Sequence, residues 1–327
     1  MTARITALPL LCGLFVVLWS SGFVGAKFGL DYAGTFTVLF WRYVLVVAVL
    51  GLIVTLTRNW QRIPRGVLLR HMVVGALAHA AWLASVLGAI DLGLSAGLAA
   101  FITALQPIMT GALSVRMTGE RVSAREWMGL GLGLLAVAIV IGDGLALGGS
   151  VLAYLLPFVA VIAITIASLI DRSANVDGGP KIPLVLVTFW HCTASLLVLT
   201  PLAIGLEGLR ADWSVGLVFS IIWLALVVSL AAYGLMFVLL RQLPAARVAS
   251  LTYLSPPVTM IMAWALFGET LNEAALLGLV VAALSVGLTL TARVVPVPAT
   301  ERCTPPASDD LPPRRSTCRN ERVRKMI

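Results

Sequence analysis

The residues best equipped for chemistry are few, and they interrupt otherwise apolar runs. The three histidines, His71, His79 and His191, stand among Ala, Leu, Val and Trp, and Arg42 is the one charge in the run 35–57. An imidazole titrates near neutrality and can bind or pass on a proton. A guanidinium can hold a carboxylate through its bidentate fork. A second set is uncharged: Thr103, Gln106 and Thr110 recur at helical spacing, as do Thr252, Ser255 and Thr259, beside Pro107 and Pro256. No CxxC or CxxH pair offers zinc-ligand spacing, and no HExxH, GxSxG, paired-Asp or GxxxxGK[ST] pattern occurs. No catalytic residue, metal site or cofactor is therefore assigned.

The elements that must position these groups are transmembrane helices. The chain has 327 residues, 60% hydrophobic and 12% charged, with a mean hydropathy of +1.00. A soluble fold of this length cannot hide that much apolar surface, whereas runs of about 20 apolar residues cross a bilayer as helices. Charged or Gly/Pro breaks delimit ten spans, at 6–28, 35–57, 67–90, 94–116, 125–142, 150–170, 182–205, 213–240, 245–267 and 274–292. The first is not a cleavable signal peptide, because many equal spans follow. The segment 293–327 is polar and holds six prolines, and is expected to be a disordered basic tail.

The net charge of +8 does not point to nucleic acid. Eight Lys/Arg against four Asp/Glu in the last 35 residues supply half of it, and no reading motif accompanies them. An N-terminus in the cytoplasm puts twenty of the twenty-three basic residues on the inner side, leaving Lys27, Arg42 and Arg210 elsewhere. The external connections then hold Asp31, Asp91, Asp143, Glu207, Asp212, Glu269 and Glu273. Both termini are expected to be cytoplasmic.

Self-comparison carries the most information. A shift of 149 residues aligns Phe40-Trp41-Arg42 with Phe189-Trp190-His191. It also places Thr103, Leu105, Pro107 and Thr110 on Thr252, Leu254, Pro256 and Thr259, and Gly119-Glu120 on Gly268-Glu269. Five helices per repeat, an odd number, make the second half enter the membrane from the opposite side. The fold class is thus an all-α integral membrane protein of ten transmembrane helices in two inverted five-helix repeats, 6–142 and 150–292. Inverted repeats are a recurrent plan of secondary transporters, with the solute site near midplane between the halves.

Leu105-Gln106-Pro107 and Leu254-Ser255-Pro256, each followed by a Gly-Glu pair whose glutamate lies thirteen residues after the proline, resemble the signature of the EamA family of the drug/metabolite transporter superfamily. So do Trp19-Ser20-Ser21-Gly22-Phe23 and Trp41-Arg42-Tyr43, and the likeness spans about residues 8–292. The resemblance implies a bacterial inner-membrane permease, usually an exporter of amino acids, related metabolites or toxic compounds. Alternating access between two related halves is the expected mechanism. An intramembrane enzyme acting on lipid or peptide and a passive channel are the alternatives.

Ionisable groups in a bilayer are costly enough to be functional candidates. Arg42, about four residues or ~6 Å from the midplane, either holds a substrate carboxylate or reaches loop carbonyls or Asp31. His191, its repeat equivalent, either binds substrate or a proton or makes a helix-packing hydrogen bond. His79 and Trp82 share a face that belongs inside the bundle, while His71 lies nearer the cytoplasmic end. Trp19, Trp190 and Tyr233 are candidates for aromatic walls, and Trp60, Trp127 and Trp213 for interfacial anchors. The expected solute site is one midplane cavity lined by Arg42, His79, Trp82, Thr103, Gln106, His191, Thr252 and Ser255, with Pro107 and Pro256 kinking their helices. The competing reading of the Thr/Gln/Ser stripes is interhelical glue. The expected partners are a small-molecule substrate and the lipid bilayer, with proton or other ion coupling, uniport and oligomeric state left open.

Overall fold

The computed structural model describes residues 2–106, 108–110, 124–146, 149–176, 182–243, 248, 251–269 and 272–290. Helices α1 (Thr2–Leu30), α2 (Thr35–Leu56) and α3 (Arg65–Gly75, Ala76–Ala81 and Trp82–Asp91) are followed by α4 (Ala96–Thr103) and α5 (Ala124–Ala146). The second half holds α6 (Val151–Val176), α7 (Leu184–Glu207), α8 (Val215–Ile222, Trp223–Ala232 and Tyr233–Leu240), α9 (Ser255–Phe267) and α10 (Glu273–Leu290). Among the described residues six helices are long and apolar enough to cross a membrane alone, and α4, α5 and α10 supply shorter apolar stretches. Large side chains such as Leu10, Leu52, Leu69, Val215 and Leu284 face outward, while Ala96, Ala99, Ala160, Ala203 and Ala225 fill the interior. This is the distribution that lipid as solvent favours, since small residues let helix backbones approach.

The two halves interleave. Repeat mates touch each other as α2–α7, α4–α9 and α5–α10, and the contact of α1 with α8 has its counterpart in α6 with α3. Each half therefore lends its third helix to the other. On α1, Gly22, Gly25 and Gly29 face Val228, Trp223 and Ser220 of α8, and Ser220 Oγ donates to the Gly25 carbonyl at 2.8 Å.

One end of the bundle is tied across the repeats. Glu207, at the end of α7, caps the start of α2 by accepting from the Phe36 and Thr37 amides at 3.0 and 2.7 Å and from Thr37 Oγ1 at 2.7 Å. Thr35 Oγ1 donates to Asp91 at 3.2 Å, and Ala33 bridges Ala211. Lys27 of α1 ion-pairs with Glu269 and lies 4.7 Å over the Phe267 ring. Helix α9 stops at Gly268, which takes the left-handed conformation (φ +67°) that glycine tolerates. The expected counterpart Gly119-Glu120 and the tail 293–327 lie outside the described residues. Trp60, Trp127 and Trp213 are exposed, as membrane anchors are.

Candidate functional site

Two backbone irregularities recur at repeat-equivalent positions. Helix α3 widens to a π-helix over Ala76–Ala81 and α8 does so over Trp223–Ala232; the 149-residue shift carries 76–81 onto 225–230. Likewise α4 leaves the α-helix at Ala104–Leu105, and a 3₁₀ turn at Thr252–Leu254 precedes α9. A π turn adds a residue per turn and re-aims the side chains that follow. Pro256 sits at the start of α9, where its missing N–H needs no partner. Pro107 lies outside the described residues.

Close packing holds both π segments. At Gly75 a Cβ would lie 2.4 Å from the Cα and carbonyl oxygen of His191, so only glycine lets α7 come this near to α3. Ser195 Oγ secures the approach by donating to the carbonyls of Gly75 (3.0 Å) and His191 (2.9 Å). In α8, Ser229 Oγ donates to the Leu224 carbonyl five residues earlier at 2.9 Å, matching the π register. The same hydroxyl accepts from Arg42 Nε at 3.0 Å.

Arg42 lines a cleft between α1, α2, α3 and α8, walled by Trp19, Phe23, Trp82, Val86, Val228 and Tyr233. The cleft is narrow, with room for about two waters. Trp19 is the aromatic hub, 5.3 Å from Tyr233 and 6.5 Å from Trp82 between ring centroids. Arg42 is only 3% exposed. Among the described residues its one hydrogen bond is to Ser229, and no carboxylate pairs with it. A buried cation without a counter-ion is costly, several kcal/mol even after relaxation. The neighbouring Trp41 Nε1 and Tyr43 hydroxyl are also buried without a hydrogen-bond partner among the described residues, so α2 concentrates unspent polar capacity at this depth.

The expected site residues fall into three groups. Arg42 and Trp82 line the cleft. His79 stands beside it, its ring 5.7 Å from Tyr233, 6.1 Å from Tyr43 and 6.1 Å from His191. The third group is turned to helix packing: Thr103 Oγ1 donates to the Ala99 and Ala100 carbonyls of its own helix, and Ser255 Oγ accepts from Ser20 Oγ of α1 at 3.1 Å. Gln106 and Thr252 are half-buried. None of Thr103, Gln106, Thr252 and Ser255 lines the cleft or a second, apolar cavity of about 360 Å³ among α4, α5, α9 and α10, where Leu105, Tyr253 and Pro256 stand. Trp190 contacts Phe189 rather than the cleft. Sequence reasoning missed Ser229. Its signal was a hydroxyl in an apolar run, at the repeat position of Ala80.

Comparison with known proteins places this architecture. The EamA-like transporter family model matches residues 8–142 and again 151–291. The chain belongs to the EamA-like transporter family. A "Probable amino-acid metabolite efflux pump" of Salmonella typhimurium is 26% identical over 280 residues, covering 82% of this chain and 89% of that protein. "Uncharacterized inner membrane transporter YedA" of Escherichia coli is 25% identical, covering 81% and 85%. "Uncharacterized transporter YdfC" of Bacillus subtilis is 25% identical, covering 82% and 86%. A crystal structure sharing 16% of the sequence superposes with a TM-score of 0.59 over 89% of this chain and 99% of its own, a likeness of fold. The EamA chain is thus a multi-pass membrane transporter of ten helices in two inverted repeats and not an enzyme.

Proposed function

We propose that this EamA transporter is a secondary exporter of small carboxylate-bearing metabolites, such as amino acids and related amphipathic compounds. It would move them across the bacterial inner membrane by alternating access. The observation that carries the reading is the buried Arg42 guanidinium, which has no carboxylate partner among the described residues and faces an aromatic cleft. A substrate carboxylate supplies the missing counter-ion through charge-assisted hydrogen bonds, and Trp19, Trp82 and Tyr233 offer apolar faces to the rest of the solute. The narrow cleft fits a closed conformation that must open to load. The ties among Glu207, Thr35, Asp91, Lys27 and Glu269 gather at one end, which supports odd-numbered connections on one common side, and the basic-residue count supports calling that side external and the termini cytoplasmic. The two family matches support repeats 6–142 and 150–292 ahead of a cytoplasmic tail, 293–327.

Thr103, Gln106, Thr252 and Ser255 act in this reading at the α1–α4–α9 junction, shaping the cleft's opening rather than touching the solute in the closed state. Efflux from liposomes loaded with a panel of amino acids and of cationic amphipaths tests the function. Carboxylate efflux is expected, and Arg42→Gln should reduce it at least about tenfold at unchanged protein abundance. Efflux of cations alone, indifferent to Arg42→Gln, would overturn the reading.

A further inference from the structure

All three histidines of the chain form one column leading into the cleft. His191 Nε2 lies 3.3 Å from His71 Nδ1, a hydrogen bond between α7 and α3. The ring centroids are 5.4 Å apart for His71–His191 and 6.1 Å for His191–His79, and Tyr233 continues the line at 5.7 Å from His79 to the cleft wall. His71 and His79 are eight residues apart on α3, about 12 Å of helix rise. The column therefore runs from the Arg65 end of α3 to the wall of the cleft that Arg42 lines.

The surrounding ionisable groups are few. Asp171 of α6 and Arg70 of α3 act electrostatically on His71, and His191 feels His71 and His79. His79 faces Tyr43 from α2 and Tyr233 from α8, and Arg42, next to Tyr43 on α2, lines the same cleft as Tyr233. No Asp or Glu is hydrogen-bonded or ion-paired to any of the three rings among the described residues. Each imidazole has two nitrogens, so it can accept a proton on one and release another from the second. The His71–His191 hydrogen bond is one such relay step, and a water or a ring rotation spans the gap to His79.

We infer that this histidine column is the transporter's proton site, and that a proton on His79 and a carboxylate on Arg42 strengthen each other's binding. The inference rests on the proposed carboxylate cleft. With the cleft empty, the Arg42 charge opposes a second positive charge on His79. A bound carboxylate neutralises Arg42 and removes that opposition. By linkage, the proton raises carboxylate affinity by the same factor as the carboxylate raises proton affinity. The proton taken up from water at His71 is conserved along the column, and proton and anion cross together as a neutral load. Among the described residues the second half has no equivalent column, since the repeat positions of His71 and His79 are Ser220 and Val228.

Two measurements on the full-length protein in nanodiscs test this. Phenylacetate, an aromatic monocarboxylate, should bind about tenfold more tightly at pH 5.5 than at pH 7.5, and His79→Gln should bring that ratio to about one whatever its absolute affinity. Separately, ¹⁵N-histidine NMR of the ligand-free protein at pH 6 should show a larger imidazolium population on His79 in Arg42→Gln than in the wild type. A pH-independent wild-type affinity, or a ratio that persists in His79→Gln, would overturn the coupling. An unchanged His79 signal in Arg42→Gln would overturn it as well. Failure of phenylacetate to bind at either pH would sink the carboxylate cleft, and the NMR comparison would still decide whether Arg42 controls the proton on His79.

Discussion

The π segments of α3 and α8 occupy the same place in the two repeats, yet they carry different chemistry. In α3 the segment holds His79 and Ala80; in α8 the same positions are Val228 and Ser229. Arg42 on α2 corresponds to His191 on α7, and Trp82 to Ala231. The backbone irregularity is shared because both halves need a widened turn where neighbouring helices converge. In the proposed function the side chains differ because a single solute would bind only one face of the pseudo-symmetric core. The first half contributes the cation, His71, His79 and most of the apolar wall, and the second contributes His191, Val228, Tyr233 and the Ser229 hydroxyl that accepts from the cation. On that proposal, backbone symmetry would serve the two-state motion and side-chain asymmetry would serve recognition.

The hardest test of this comparison is at the α3–α7 approach, which the α8 repeat fills with Leu224 instead of a glycine. Gly75→Ala puts a methyl 2.4 Å from the His191 backbone, where no side-chain movement relieves it. Overpacking of about 1–3 kcal/mol should follow, lowering the thermal-shift midpoint by about 5 °C and emptying the His71–His191 hydrogen bond. Gly131→Ala, with open space around it, should leave the midpoint near that of the wild type. Equal midpoints for the two variants would show that α3 does not depend on this contact.

A smaller effect should come from making the π segments alike. Ser229→Ala copies Ala80 into the second half, removing the acceptor of Arg42 Nε and the hydroxyl donor to Leu224. The loss of a hydrogen bond to a charged group should raise the half-saturating carboxylate concentration about tenfold, with maximal efflux and abundance retained. A lower maximal rate with unchanged half-saturation would assign Ser229 to the motion of α8 instead.

The smallest effect is expected at the tied end. Lys27 and Glu269 are 30% and 17% exposed, so solvent and salt weaken their attraction. Lys27→Met and Glu269→Gln should each change efflux by no more than about threefold, and the double variant should resemble either single one. A double variant whose loss is the product of the two would show that the pair is not a unit.

Much of this plan is legible in the chain. Apolar run length and the cost of unpaired backbone in lipid give the helices nearly residue by residue, as α2 (Thr35–Leu56) against 35–57 illustrates. Arg42, His79 and His191 stood out because charge in hydrocarbon is expensive; the structure sets the His79 ring between those of His191 and Tyr233, and Arg42 lines the cleft that Tyr233 walls. The Thr/Gln/Ser stripes were legible as polar, but their partners were not. Thr103 satisfies itself on its own helix, whereas Ser255 needs Ser20, 235 residues away. Helical spacing says which residues share a face and nothing about which helix meets that face.

The sequence by itself determined the membrane class, the inverted repeat and the few groups too costly to leave idle in a bilayer. These follow from local transfer energies and from internal self-similarity. Only the tertiary structure decided where the helices widen, that Ser229 receives Arg42, and that the histidines align. An α turn and a π turn of the same residues differ by one hydrogen-bond register. Contacts from distant helices, Ser195 on Gly75 and Arg42 on Ser229, accompany that choice here.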